Sequence, residues 1–300
     1  MTLMALLRNS DHLLIPANAY TPTLDMARFM VDLIGITYAT YDPLTPEAIP
    51  FTKNTRMIWV ETPGSITMEI SDLRAIAEIA HRHQALVAVD ATWSAGISLP
   101  VFELGADISV HALTKYPSGG SDVIMGAITT SDDDLHARLY QARTLFGIGV
   151  SPEDCYLLLR SLPHLRARYE IQDSAARLIA GWLQHQPYIY RVLHPAFSDC
   201  PGHAVWKRDF CGAASLFSVV MHPDIPQDII DLCIESLQYF RLGVSWGGPS
   251  SLVLPFIREQ LPYNCDIKGG LIRFYIGLES PEDLITDIER AFTPFLDYFV

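Results

Sequence analysis

The 300-residue chain reads as an α/β protein: a mainly parallel sheet with its helices, followed by a smaller C-terminal α+β unit. Three observations carry that reading. Strand-like and helix-like segments alternate along the first half of the chain. The strand-like runs are continuously apolar rather than alternating, as strands covered on both faces are. After Gln184 the texture changes to short strands interleaved with helices.

The elements follow in order. His12–Pro16 opens the pattern as an apolar strand. Thr23–Ile34 has helical spacing, with Leu24, Phe29, Met30, Leu33 and Ile34 apolar. Ile36–Tyr41 is strand-like and is ended by Asp42-Pro43. Met57–Val60 is a further strand, closed by Thr62-Pro63-Gly64. Ser71 can cap a helix running to His83, because its hydroxyl satisfies a free first-turn amide. Ala85–Val89 is an unbroken apolar run ending in Asp90, and Asp107–His111 and Val123–Thr129 read as two more buried strands. Ser151-Pro152-Glu153-Asp154 starts a long helix that reaches Gln184, since Pro suits the first helical position and acids suit the first turn. Beyond it, strands near Tyr188–Leu193, Ala214–Met221 and Leu271–Ile276 mix with helices near Gln227–Phe240 and Pro281–Tyr298. The boundary between the two units falls inside the long helix, and no repeat or low-complexity segment interrupts them.

Composition narrows the function. Hydrophobic residues make up 49% of the chain and charged residues 18%, enough apolar material for a large core. The 34 acidic residues outweigh 21 basic ones, and a net charge of −13 argues against a nucleic-acid or anionic-membrane partner. The cysteines are Cys155, Cys200, Cys211, Cys233 and Cys265, an odd set without C-x-x-C spacing. That disfavours a disulfide framework or thiolate metal site and suits a cytoplasmic location. The N-terminal apolar run is too short for a signal-peptide core, and no stretch has the length of a membrane span.

Three patterns are decoys. Gly243-Val-Ser245-Trp-Gly247 matches a nucleophile elbow, but the last histidine is His222, so no histidine follows Ser245 as the hydrolase order requires. His81 and His83 sit two apart and point to different faces of a helix. Gly147-Ile-Gly149 lacks the rest of a dinucleotide fingerprint, with Pro at 152 and no strand before it.

The chemistry concentrates between Leu86 and Gly126. Asp90 ends one buried strand and Lys115 follows another, and ligand sites of open α/β sheets gather at carboxyl ends of strands. A lysine in apolar surroundings loses pKa and becomes a usable amine, as imine formation with an aldehyde cofactor needs. An anion opposite a pyridine nitrogen keeps that ring protonated, and Asp90 suits this. Spacing alone is served equally well by Asp90 capping a turn and Lys115 sitting solvated in a loop.

The runs VAVDATWSAG (87–96) and SVHALTKYPSGGSD (109–122) resemble the pyridoxal-phosphate family of cysteine and methionine metabolism. Within it, ETPGSITMEI (61–70), GVSWGGPSSLVLP (243–255) and LIRFYIGLESPEDLI (271–285) look most like the bacterial cystathionine β-lyases. The resemblance implies an aminotransferase-like (fold type I) architecture. A large cofactor-binding domain would span 1–165, and a linking helix with the C-terminal α+β domain 166–300. It implies pyridoxal 5'-phosphate held by Lys115, with Asp90 at the pyridine nitrogen, Thr114 at the phosphate and Tyr20 stacked on the ring. Arg273 would grip the substrate carboxylate, with Ser245 and Trp246 lining the substrate pocket. The implied reaction is β-elimination of L-cystathionine to homocysteine, pyruvate and ammonia. The implied protein is a cytoplasmic homo-oligomer, dimer or tetramer, acting on a small amino acid with no metal.

The chain also departs from the family pattern. Ala91 stands where Asn is common, Ala112 where many members place a phosphate-binding Ser, and Pro249 where an aromatic is common. The resemblance begins late, after the glycine-rich turn and helix start that cradle the phosphate in family members. On that reading the chain is N-terminally truncated, binds cofactor weakly alone and oligomerises only with that segment restored. Two other readings stay open: a γ-synthase or γ-lyase sister enzyme, which typically carries Glu-Ser-Leu-Gly-Gly where this chain has Val-Ser-Trp-Gly-Gly, and an inactive remnant of the family.

Overall fold

A computed structural model describes residues 1–257, 260–261 and 267–299; Cys265 lies outside the described residues. The first sheet is built from β1 (His12–Pro16), β2 (Thr37–Tyr41), β3 (Thr55–Glu61), β4 (Leu86–Asp90), β5 (Ile108–Ala112) and β6 (Gly126–Thr129). Its order is β2-β1-β3-β4-β5-β6. Strands β1 to β5 are parallel to their neighbours, and only β6 runs antiparallel, against β5.

The unbroken apolar runs have the expected cause. Leu13 and Ile15 enter one core with Met57 and Ala88, while Leu14 enters another with Ile58, Val60, Val87 and Val89. Successive residues of a strand face opposite sides, so both faces of the sheet are covered. The helices of this part are α1 (Thr2–Leu6), α2 (Thr21–Ile34), α3 (Leu73–Arg82) and α4 (Asp133–Leu145).

Two further helices, α5 (Pro152–Ser161) and α6 (Leu165–Leu183), stand where one long helix is expected. A 3-10 turn, Leu162–His164, separates them at Pro163, whose ring cannot donate to the helical ladder. The cap of α3 is Asp72, whose carboxylate accepts the Ala75 N–H at 3.0 Å. Ser71, expected in that role, is buried, with its N–H donated to the Thr62 hydroxyl. The expected buried strand Val123–Thr129 is shorter and half-exposed, because β6 is the sheet's edge.

The second sheet contains β7 (Ile189–Leu193), β8 (Leu216–Met221), β9 (Arg241–Leu242), β10 (Leu252–Phe256) and β11 (Leu271–Tyr275), in the order β7-β8-β11-β10-β9. All neighbours are antiparallel except the short β9–β10 pair. Among the described residues three α-helices accompany it: α7 (His203–Asp209), α8 (Gln227–Glu235) and α9 (Pro281–Ala291). The helix expected to reach Phe240 stops at Glu235, where the chain turns. The Gln238 and Tyr239 amides bind the Asp287 carboxylate of α9, and Phe240 is delivered into the core. No helix among the described residues is long and apolar enough to cross a membrane.

Candidate active site

The parallel strands β3 and β4 end side by side, with Glu61 and Asp90 in register as neighbours. The chain leaving β5 makes a tight turn, Lys115 N–H to Ala112 carbonyl at 3.1 Å, which aims Lys115 at the same end of the sheet. Strand β11 of the second sheet contributes Arg273 from its middle residue. The loop after β9 brings Val244, Ser245 and Trp246. These groups, with Tyr20, Pro63, Gly64, Ser65, Thr92, Trp93, Ala112 and Leu216, enclose a cavity of about 290 Å³. A larger concavity of about 730 Å³ lies beside it and shares Tyr20, but its wall carries no lysine and no carboxylate side chain. The chemistry-bearing groups therefore belong to the smaller one.

Lys115 Nζ donates to Ser245 Oγ at 2.7 Å and lies 5.2 Å from the centre of the Trp246 ring. Burial and then the nearby Arg273 charge push the Lys115 ammonium below its ordinary value, and Asp90 partly opposes this. The lysine is thus biased toward the free amine that can attack a carbonyl carbon or accept a proton. Asp90 accepts the Thr92 N–H at 3.0 Å. Burial raises its carboxyl above the ordinary range, while Thr92, His111 and Lys115 pull it back toward ionisation.

Arg273 is only 6% exposed. Its guanidinium donates to the Ser65 carbonyl at 3.1 Å and the Val244 carbonyl at 2.7 Å, and stands over the Phe256 ring. Desolvation lowers its pKa to about 10, with the Tyr20 hydroxyl acting in the opposite sense. Among the described residues no carboxylate acts on it, so a buried positive charge faces the cavity with neutral partners there. Such a charge is costly unless an anion is received there.

The structure brings together Tyr20, Asp90, Lys115, Ser245, Trp246 and Arg273 around one cavity. Thr114 is not in that wall: its hydroxyl accepts the Met125 N–H at 3.0 Å and donates to the Met125 carbonyl at 3.3 Å. Sequence reasoning passed over Glu61 and Thr92. Glu61 sits in the quoted run ETPGSITMEI and ends a buried strand, the same signal that singled out Asp90. Gly247 is a further omission. Its φ is +94°, and it presses against the backbone of Lys115 and Tyr116, joining the Ser245 loop to the lysine.

These residues fit a pyridine aldehyde cofactor. An amine, a carboxylate and a guanidinium without a carboxylate partner among the described residues converge on one cavity, and Arg273 offers the charge that a substrate carboxylate needs. Bound there, pyridoxal phosphate supplies an electron sink for bonds broken at the substrate's α-carbon.

The model for the family described as Cys/Met metabolism PLP-dependent enzyme matches residues 1–293. The chain belongs to this family. The expected pyridoxal 5'-phosphate cofactor and a carbon–sulfur lyase type of enzyme follow with it. Cystathionine beta-lyase of Salmonella typhimurium is 33% identical over 300 residues, which cover 97% of this chain and 76% of that one. An L-alanine/L-glutamate racemase of Wolbachia pipientis is 34% identical over 284 residues, covering 94% of this chain and 70% of that one. Among solved structures, cystathionine gamma synthase from Xanthomonas oryzae pv. oryzae, in complex with aminoacrylate and cysteine, superposes with a TM-score of 0.88. It is 29% identical and covers 97% of this chain and 77% of its own. The aminotransferase-like, fold type I architecture expected from the sequence is the one observed in this family member.

Proposed function

We propose that the protein cleaves the Cβ–S bond of L-cystathionine by β-elimination, giving homocysteine, pyruvate and ammonia. The observation that carries this reading is the convergence of Lys115, Asp90 and Arg273 on one cavity beside Ser245 and Trp246. The similarity to a cystathionine beta-lyase over nearly the whole chain supports it.

In this reading Lys115 would hold the cofactor, and its lowered pKa would let its amine take the α-proton as general base. Asp90, steadied by the Thr92 N–H, would face the cofactor's ring nitrogen. Arg273 receives the α-carboxylate in its planar fork. Ser245, already bonded to Lys115 Nζ, orients the amine, and Trp246 walls the pocket. Tyr20 would cover the cofactor ring, and Thr114, whose hydroxyl is engaged by Met125, would act on the phosphate from outside this cavity's wall. A large domain over 1–165 would carry the cofactor, and 166–300 would complete the substrate side.

We also infer a cytoplasmic homo-oligomer. The described cysteines Cys155, Cys200, Cys211 and Cys233 are all free, which suits a reducing compartment. Ile124, Leu145, Phe146, Ile148, Val150 and Leu159 stand exposed, an apolar surface of the kind subunit contacts cover.

The similarity to a racemase favours one second reading, in which the proton removed at Cα returns to either face without elimination. Product analysis of the cofactor-loaded protein decides. Pyruvate with homocysteine from cystathionine supports β-elimination. Release of 2-oxobutyrate with cysteine points to the γ-lyase reaction, and D-alanine from L-alanine without pyruvate points to racemisation.

A further inference from the structure

Two acids, not one, stand at the carboxyl end of the sheet. Glu61 and Asp90 are register partners on adjacent parallel strands, and both line the cavity. Their surroundings differ sharply. Asp90 has the Thr92 N–H and hydroxyl, with His111 and Lys115 near enough to favour its charge. Glu61 is 8% exposed, and among the described residues its carboxyl has one hydrogen bond, from the Tyr20 amide to Oε2 at 2.8 Å. Among the described residues no cation acts on Glu61.

We propose that Glu61 is a positioning residue of this site. Of the register pair it is the member that holds a proton, it anchors the backbone of Tyr20 at the cavity wall, and it leaves Asp90 to carry the charge. This rests on the reading of Asp90 and Lys115 as cofactor-binding residues.

The argument is one of competition. Two carboxyl groups this close do not both ionise cheaply, and the proton stays on the member with less support for charge. Thr92, His111 and Lys115 support Asp90. Against Glu61 stand burial and the charge of Asp90, with only the Tyr20 amide in its favour. The other titratable groups on this side give it no relief. Tyr41 of β2 is buried beside it with its hydroxyl donated to the Trp59 carbonyl, and Arg273 is held by Ser65 and Val244. The anchoring role is equally local. Tyr20 is the residue that caps the start of α2, with no side-chain cap of its own, so the Glu61 carboxyl fixes where that helix begins. The tyrosine side chain is half-exposed, and this backbone bond is what ties it to the cavity.

Infrared difference spectra of the 300-residue chain against Glu61→Gln, at pH 7 and without cofactor, test the charge. The glutamine keeps an oxygen acceptor for the Tyr20 amide and cannot ionise. A protonated carboxyl band lost on substitution supports the proposal, and loss of ionised carboxylate bands overturns it. Cofactor affinity tests the anchor. Glu61→Gln should stay within about threefold of the parent and Glu61→Ala should weaken binding by about tenfold or more, as loss of a hydrogen bond to a buried acceptor implies. An equal loss in both variants, or none in either, overturns it. Absorbance of the bound cofactor against pH should be unchanged in Glu61→Gln, and a shifted titration means that Glu61 was charged. The infrared arm needs neither cofactor nor substrate. Failure of the β-elimination reading would therefore leave its result intact, and failure here would leave the product analysis intact.

Discussion

Gly247→Ala is the perturbation that best probes how the second sheet reaches the lysine. A Cβ at this position would lie 2.6 Å from both Cα and C of Lys115 and 2.7 Å from the Tyr116 nitrogen. Carbon atoms pack at about 3.5–4.0 Å, so the overlap is close to an ångström and is against backbone, which cannot rotate away. Overpacking of this kind costs about 1–3 kcal/mol. A φ of +94° adds strain for any residue with a Cβ, about 1–3 kcal/mol more. Alanine narrows the unfolded ensemble and returns about 0.4–1 kcal/mol. The net expectation is a loss of about 3 kcal/mol in urea unfolding. The functional effect should be local as well. The loop must retreat from Lys115, and the 2.7 Å bond from Nζ to Ser245 two residues earlier must lengthen or break. Cystathionine turnover should fall by about tenfold or more, since a misplaced reacting group is costly. A variant within about 0.5 kcal/mol of the parent and equally active would refute the close approach of the two backbones.

Three other outcomes are expected. Arg273→Lys keeps the charge but cannot hold the Ser65 and Val244 carbonyls and a carboxylate together, so kcat/KM should fall by about tenfold or more, roughly 1.4 kcal/mol. Steady-state kinetics on a normally folded variant check this. Arg273→Met removes a positive neighbour from Lys115, so the lysine pKa should rise; the pH dependence of amine labelling in the cofactor-free chain reads it, and an unchanged or lower value contradicts the coupling. His194 is fully buried, and burial depresses it from 6.5 to about 3, with Arg177 acting in the same sense. A neutral buried histidine contributes stability that is complete above pH 6.5 and is lost as pH falls toward 3, at a rate on the order of 1 kcal/mol per pH unit. His194→Gln should flatten the urea-unfolding profile across that window.

What the sequence made legible and what it hid follow from the range of the forces involved. Continuous apolar runs marked β1, β3 and β4 because both faces of each strand are covered, while β5 was marked by Ile108 and Val110, which pack into one core. The carboxyl ends of those runs then pointed to Asp90 and Lys115 without any knowledge of contacts. Elements held by distant partners were harder to read. Strand β10 contains Pro255, a residue that argues against a strand, and is stabilised by pairing with β11. The break at Pro163 was hidden by helical spacing on either side, and Asp72 took the capping role because Thr62 had already engaged Ser71.

The candidate site divides along the same line. Arg273 was legible as a charge inside an apolar strand, yet its partners, Ser65 and Val244, come from 208 and 29 residues away. Glu61 carried the same strand-end signal as Asp90, but its distinction from Asp90 lies wholly in what surrounds each carboxyl. Asp90 finds Thr92 two residues along its own chain, while among the described residues the Glu61 carboxyl meets only a backbone amide 41 residues earlier in sequence. Two acids of one chemical type at one level of one sheet are thereby given unequal support for charge. Because their difference is set by neighbours and not by position, exchanging the support should exchange the roles. Removing the Thr92 hydroxyl, in Thr92→Val, weakens Asp90's claim to the charge and narrows the gap between the two carboxyls, whereas a substitution on the far side of the sheet leaves that gap unchanged.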